Sequence, residues 1–232
     1  MCTSFMFRGD DTLIAMNYDN HGKNLKLAPH RDDLFLVTIH SLGKDRPLFG
    51  VRSDGVMGNQ QVVNDCEKGK FRLGFRVVHT AQWLNKLLVK RLPKNKIAEY
   101  LKRHTIVSPP KMSLHSFAAC ADGQSCIIEP GRGNIWYSAD ERKIGMSNCP
   151  VWDFKATGKW EGFGVDRQMI VDDTLEAAPS SFSVKDAFKL LDAVHQVDEV
   201  WNTEFSFVYS HNENKVYYCY DHQFDDIKEY QM

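Results

Sequence analysis

Short apolar or alternating runs, separated by turn-forming residues, occupy much of the chain, and this pattern predicts β-strands. Residues 3–7 and 12–17 form two such runs around Gly9-Asp10-Asp11, which predicts a β-hairpin. The same criteria predict further strands at 34–39, 55–63, 113–121, 125–129, 134–138, 143–147, 205–210, 215–220 and 227–230. Two stretches of sequence between groups of these strands have a different spacing of apolar residues.

Apolar residues at helical spacing mark the two intervening blocks. The predicted helices cover 80–91, 97–104, 165–173 and a segment beginning at Ser183. Pro93 separates the first two helices, and Ser183 with Asp186 has the spacing of an N-terminal capping box. The glycine-containing stretch 155–164 is predicted to be a loop.

The order strands, helices, strands, helices, strands predicts an α+β fold. Hairpin links produce antiparallel sheets, and grouped helices must cover sheet faces. Two antiparallel sheets with helical layers outside them satisfy both conditions. Repeats, low-complexity segments and a convincing domain boundary are absent from the sequence, so residues 1–232 are expected to form a single domain.

Composition narrows the function classes. The 232 residues are 43% hydrophobic, 25% charged and carry a net charge of −1, so we expect neither nucleic acid nor a membrane as partner. A signal peptide and a membrane-spanning run are not evident, and the six cysteines include no Cys-x-x-Cys pair. We therefore expect a cytoplasmic protein with reduced thiols. The spacing of His21, His30 and His40 matches no metal site, so no metal is expected.

The second residue is a candidate nucleophile. Removal of Met1 would leave Cys2 with a thiol and an α-amine on one residue. The reference pKa values of these groups are about 8.5 and about 8, so the amine can accept the thiol proton and later protonate a leaving group. Met-Cys alone is weak support, since many ordinary chains begin this way.

The sequence resembles the choloylglycine hydrolase family, which includes bile salt hydrolases, penicillin V acylases and related hydrolases of linear amides. The resemblance begins with Met-Cys-Thr-Ser-Phe at the start of the chain and continues in order along nearly its whole length. The other similar segments are Ala-Met-Asn-Tyr-Asp at 15–19, Ser-Asp-Gly-Val at 53–56, Ser-Asn-Cys-Pro at 147–150, Asp-Arg at 166–167 and the hairpin at 203–218. Each motif is modest alone, but their common order is specific.

This resemblance implies a four-layer αββα sandwich of the N-terminal-nucleophile (Ntn) hydrolases. It also implies hydrolysis of a linear, non-peptide amide bond in a small N-acyl substrate, without a cofactor. A homo-oligomer is one possible assembly. Two alternatives stay open. The same site would serve an acyltransferase, and a catalytically degenerate relative would bind a ligand without turnover. The lack of paired cysteines disfavours a redox thiol protein.

The resemblance also implies roles for four residues. Cys2 would be the nucleophile, Asp19 would position its amine and thiol, Asn148 would donate to the oxyanion, and Arg167 would polarise or anchor the site. The alternative for Asp19 is a turn residue, for Asn148 the end of a strand, and for Arg167 a helix surface.

A second oxyanion donor is less well defined. If the family pattern that begins at Gly55 is extended along the chain without gaps, the second donor falls at Val62. The backbone amide of Val62 is therefore one candidate. The other candidate is Asn59, which belongs to a polar cluster within an apolar strand.

One position departs from the family pattern. Met16 occupies the place where the family usually has arginine, in the active-site charge network. Methionine makes the pocket more apolar and less able to hold an anionic group, so a bile salt is not the expected substrate. The sequence leaves open whether Arg52 or Arg167 compensates.

Overall fold

The computed structural model describes residues 2–22, 25–41, 43–198 and 200–232. Met1, whose removal is expected from the sequence, lies outside these described residues. The strands are β1 (Thr3–Arg8), β2 (Thr12–Asn20), β3 (Leu25–Leu27), β4 (Leu34–Ser41), β5 (Lys44–Arg52), β6 (Val56–Asn59), β7 (Gln61–Val62), β8 (Val77–His79), β9 (Thr105–Val107), β10 (Leu114–Cys120), β11 (Ser125–Glu129), β12 (Gly133–Tyr137), β13 (Lys143–Met146), β14 (Asn202–Ser210), β15 (Lys215–Tyr220) and β16 (Lys228–Gln231). The α-helices are α1 (Thr80–Leu88), α2 (Ile97–Arg103), α3 (Val151–Thr157), α4 (Val165–Ala177) and α5 (Val184–Ala193).

Two large antiparallel sheets form the centre of the fold. The first has the strand order β13-β1-β2-β14-β15-β16. The second has the order β12-β11-β10-β6-β5-β4-β3, with β7 paired to β10. Alternation along each strand sends one set of side chains between the sheets and the other set outward. On β1, Met6 packs between the sheets, whereas Phe5 and Phe7 face the helices.

Helices cover both outer faces. Helices α4 and α5 pack on the first sheet, and α1 packs on the second. The N-terminus of α5 carries the predicted capping box, in which Ser183 accepts from the amide of Asp186 and the Asp186 carboxylate accepts from the amide of Ser183. The α+β fold with two antiparallel sheets and outer helical layers is therefore confirmed.

Several element predictions were wrong in detail. The single strand predicted at 55–63 is divided into β6 and β7, which pair with different parts of β10. The predicted loop at 155–164 begins inside α3. Strands β3, β5, β8 and β9 were not predicted. No helix within the described ranges is long and apolar enough to cross a membrane.

Candidate active site

The thiol of Cys2 lies between the two sheets. Cys2 directly precedes β1 and is buried, with its sulfur 3.8 Å from the backbone carbonyl oxygen of Asp19. Burial raises the pKa of the Cys2 thiol to about 11. The thiol is therefore protonated near neutral pH, and nucleophilic attack would require a base beside it.

Asp19 lies near the end of β2, beside the start of β14. The Thr203 hydroxyl donates to Asp19 Oδ1 over 2.7 Å and itself accepts from the backbone amide of Gln196 over 2.9 Å. Burial raises the pKa of Asp19 to about 6, opposed by the Thr203 hydrogen bond and by the charge of Arg167. Asp19 is consequently a charged, buried carboxylate near pH 7.

Arg167 links the elements of this site. It lies in the first turn of α4, is 97% shielded from solvent, and directs its guanidinium toward the end of the first sheet. Its Nη1 atom donates to the Cys2 carbonyl oxygen at 3.0 Å, Thr3 Oγ1 at 2.8 Å and Asp19 Oδ2 at 3.4 Å. Its Nη2 atom donates to Asn148 Oδ1 at 2.8 Å. One rigid planar group thus fixes three chain segments relative to each other.

The same contact determines the orientation of the Asn148 amide. Guanidinium carries donors alone, so the oxygen of the Asn148 side chain must face Arg167 and the nitrogen must face away. That nitrogen donates to the Val62 carbonyl oxygen over 2.6 Å. An amide nitrogen has two hydrogens, and the second has no acceptor among the described residues. The nitrogen of Asn148 is therefore a hydrogen-bond donor of fixed orientation. The guanidinium of Arg167 that fixes it also binds the Cys2 carbonyl.

Val62 contacts the candidate site through its backbone carbonyl, which accepts a hydrogen bond from the Asn148 side chain. Its strand pairs with β10 in the register Val62 opposite Leu114. The assignment of the Val62 amide as a second oxyanion donor stays a prediction, because its partner would be a bound substrate.

Asn59 also lies between the sheets, beside Met16. Its nitrogen donates to Ser4 Oγ at 3.1 Å and lies 3.5 Å from the sulfur of Met16. Its side-chain oxygen accepts from the backbone amide of Phe117 over 2.9 Å. The nitrogen thus reaches the first sheet while the oxygen bonds within the second, and no hydrogen bond joins Asn59 to Asn148 among the described residues.

The polar contacts around Ser4 continue to Gln61. The Gln61 side-chain oxygen accepts from the Ser4 hydroxyl at 2.6 Å and from Asn59 at 3.1 Å, while its nitrogen lies 3.3 and 3.2 Å from the carbonyls of Met146 and Ser147. This orientation of the amide satisfies every partner. The network ties β7 to the segment that carries Asn148.

Solved structures share this architecture, although no family model and no curated protein match the chain. A cysteine-to-alanine variant of the conjugated bile acid hydrolase from Clostridium perfringens has 13% sequence identity and a TM-score of 0.75, over 99% of this chain and 92% of that one. Penicillin V acylase from Agrobacterium tumefaciens has 14% identity and a TM-score of 0.67, over 94% and 83%. The Caenorhabditis elegans ortholog of N-acylethanolamine-hydrolyzing acid amidase has 13% identity and a TM-score of 0.56, over 90% and 93%.

This chain has the Ntn-hydrolase fold. The four-layer arrangement expected from the sequence resemblance is thereby confirmed. Identities of 13–14% establish the fold alone, so the chemistry of the site has to be argued from its own residues.

Within this Ntn-hydrolase fold, Arg52 does not replace the missing arginine at Met16. Arg52 is as buried as Arg167, but its Nη1 donates to the carbonyls of Leu87 at 3.1 Å and Leu92 at 2.7 Å, at the end of α1. Its Nη2 pairs with Asp54. Arg52 therefore stabilises a helix end on the outer layer of the second sheet.

Sequence reasoning missed a buried pair that supports the Asn148 segment. The Glu129 carboxylate accepts from the amides of Val151 at 2.8 Å and Trp152 at 3.0 Å, and its Oε1 lies 3.3 Å from His115 Nδ1. Both side chains are fully buried. Glu129 thus fixes the first turn of α3, which begins three residues after Asn148. No local pattern identifies it, because Glu129 ends an otherwise ordinary strand.

Gly164 makes room for the Arg167 guanidinium. It precedes α4 with φ +69°, and a Cβ at this position would lie 2.4 Å from Arg167 Nη2 and 2.6 Å from Ser147 Oγ. Gly158 provides a matched comparison, since its φ is +71° and a Cβ there meets no atom within 4 Å.

We expect Gly164→Ala to lower the free energy of unfolding by about 1–3 kcal/mol more than Gly158→Ala. Both substitutions place a side chain at positive φ, but the first also displaces Arg167. Urea unfolding of the two variants measures the difference. Equal destabilisation would show that the close approach at Gly164 carries no cost.

Proposed function

We propose that this protein hydrolyses a linear amide bond in an N-acyl substrate, with Cys2 as nucleophile once its α-amine has been exposed. The observation that carries the proposal is the Arg167 guanidinium, which contacts the Cys2 carbonyl, the Asp19 carboxylate and the Asn148 amide at once. The proposal is also supported by the shared fold with hydrolases that act on amides.

The first step follows from the protonation states. A thiol with a pKa raised by burial needs a base, and the α-amine of Cys2 would be the nearest one. Its reference pKa is about 8, so roughly a tenth is neutral at pH 7, and a carboxylate beside it lowers that fraction. Asp19 and its partner Thr203 would hold the amine, because the buried carboxylate attracts the ammonium form. The amine takes the thiol proton as sulfur attacks the substrate carbonyl.

The second step requires stabilisation of the oxyanion. Attack forms a tetrahedral intermediate, and the second hydrogen of the Asn148 nitrogen would donate to its oxygen. Arg167 keeps that nitrogen correctly oriented by binding the Asn148 oxygen. The ammonium of Cys2 then protonates the departing nitrogen, and the amine product leaves. Water, deprotonated by the same amine, attacks the thioester and releases the acid, which restores the thiol.

The reaction is tested by incubating protein with an exposed Cys2 amine and a panel of N-acyl amides, including penicillin V and glycine conjugates. Release of free amine and free acid in equal amounts supports hydrolysis. Transfer of the acyl group to an added amine in place of water would instead identify an acyltransferase. Binding of panel members without any product would identify a ligand-binding protein.

We expect Asn148→Ala to lower kcat by about 10²–10³-fold with little change in KM, because an oxyanion donor acts mainly in the transition state. Steady-state kinetics on the best panel substrate measures the effect. Asn59→Ala is the informative comparison, since Asn59 was the rival candidate. A large loss of kcat in Asn59→Ala with a small loss in Asn148→Ala would reverse the assignment.

We expect the wild-type protein to prefer amides whose leaving amine is uncharged, because Met16 is buried and apolar. Met16→Arg should raise the ratio of kcat/KM for glycine conjugates over neutral amides by about tenfold, through a new charge-assisted contact. Met16→Leu is the control and should leave the ratio unchanged. A wild-type protein that already favours the anionic conjugates would contradict this prediction directly.

A further inference from the structure

The segment 68–76 carries three exposed large apolar side chains. Leu73 and Phe75 each expose 88% of their surface, and Phe71 exposes 41%. Large apolar side chains this exposed are uncommon next to each other on a soluble protein, and they mark an interaction surface. We call residues 68–76 the apolar-tip loop.

The ends of the apolar-tip loop are held by backbone contacts. The Gly69 carbonyl accepts from the amide of Ser108 over 2.8 Å, and a Cβ on Gly69 would lie 2.1 Å from the Pro130 oxygen. At the other end, the Arg76 carbonyl accepts from the amide of Thr105 over 2.9 Å. The loop is therefore anchored at both ends, and its exposed side chains are displayed from a fixed base.

Cations outnumber acidic residues around the apolar side chains, where Asp65 and Glu67 are the acidic neighbours of Lys70. Between 68 and 76 the chain carries the exposed cations Lys68, Lys70, Arg72 and Arg76 and no acidic residue. Outside the loop, Glu67 pairs with Lys70. Lys111, which is exposed, and Met112, which is half-exposed, lie beside Phe71. They add one cation and one apolar side chain to this surface. The expectation that no membrane is a partner rests on the net charge of −1, which averages over this local concentration of cations.

We propose that the apolar-tip loop docks on an anionic lipid bilayer. Leu73 and Phe75 would enter the interfacial region while the neighbouring lysines and arginines bind lipid phosphates, as in interfacial segments with apolar and basic residues. This inference is independent of the proposed amide hydrolysis, because vesicle binding needs no turnover.

Two other occupants fit the same surface less well. A second copy meeting it by two-fold symmetry would bring the cations of both loops together, which is unfavourable. Single-stranded nucleic acid binds by stacking bases on aromatic rings, and Leu73, as exposed as Phe75, offers no ring. An anionic bilayer satisfies both the aliphatic and the cationic side chains.

The test is flotation of the full chain with phosphatidylcholine vesicles, with and without phosphatidylserine. We expect binding to the anionic vesicles that weakens as salt is added. The double variants Leu73→Ser/Phe75→Ser and Lys68→Gln/Lys70→Gln should each bind at least about tenfold more weakly. Met169→Gln/Ile170→Gln, which alters exposed apolar residues on α4, is the matched control and should bind as wild type.

Thermal melts of all variants confirm that they are folded. No binding to anionic vesicles, or equal binding by the loop variants, would overturn the proposal. A dimer that dissociates in Leu73→Ser/Phe75→Ser, without vesicle binding, would assign the surface to a second copy. Tighter binding to a single-stranded oligonucleotide than to vesicles would assign it to nucleic acid. Either result also overturns the lipid proposal.

Discussion

Cys2→Ser protein is expected to lose about 10⁴-fold or more of its amide-hydrolysing kcat, the scale on which enzymes respond to loss of the nucleophile. A serine hydroxyl is close in shape to the thiol but is a far weaker nucleophile when its base is a single amine. The buried surroundings of Cys2, which already raise the pKa of the thiol, make ionisation of a hydroxyl more unfavourable still. Initial rates on the best N-acyl amide measure the loss.

Cys66→Ser is the control for this prediction. Cys66 is partly exposed and lies in a loop outside the candidate site. We expect Cys66→Ser to retain the wild-type rate and also to retain a single site of acylation. A Cys2→Ser protein that works at a tenth of the wild-type rate or better would remove Cys2 from the role of nucleophile.

Arg167→Lys is also expected to reduce catalysis strongly, with a fall in kcat of about 10²-fold. A lysine ammonium is a point charge and cannot contact both the Asp19 side of the site and the Asn148 oxygen, as the two nitrogens of Arg167 do. Asn148 would then lose the contact that directs its nitrogen. Arg167→Met should be worse, because loss of one partner of a buried ion pair costs about 3–5 kcal/mol of stability.

Arg52→Lys is the control that shows whether replacing any buried arginine by lysine lowers kcat. Arg52 and Arg167 are each only 3% exposed, and both donate to several acceptors, but Arg52 lies at the end of α1. We expect Arg52→Lys to lower the melting temperature with little change in kcat. If the two lysine variants lose equal stability and neither loses kcat, Arg167 has a structural role alone.

The sequence predicted the strands whose side chains alternate and whose turns are local. The first hairpin is an example, because Gly9-Asp10-Asp11 marks its turn. Strand β5 escaped prediction because its first half is polar and contains Pro47, which usually argues against a strand. In the structure Pro47 pairs with Thr38 where the register shifts, so long-range pairing with β4 accommodates a residue that local pattern rejects.

Helix α3 escaped prediction for a similar reason. It is short, and its first amides are satisfied by Glu129, which lies 22 residues earlier for Val151 and 23 for Trp152. Local propensity does not contain that contact, whereas the folded sheet supplies it.

Among the candidate site residues, those taken from the order of the motifs lie together in the structure, and their catalytic roles stay predictions. Cys2, Asp19, Asn148 and Arg167 come from four separate segments, and the structure places all of them around one guanidinium. Asn59 was a candidate because polar residues interrupt an apolar strand. The sequence alone does not show which sheet face such a residue occupies, and Asn59 instead bridges the two sheets.

The most direct test of the account is the intact mass of the protein during turnover of a slow N-acyl amide, stopped by rapid acid quench. We expect a chain that begins at Cys2, a transient mass increase equal to one acyl group, and location of that group on Cys2 by peptide mapping. The adduct should be absent from Cys2→Ser. A chain that hydrolyses the amide while Met1 is retained, or an acyl group on any other residue, would contradict the central claim.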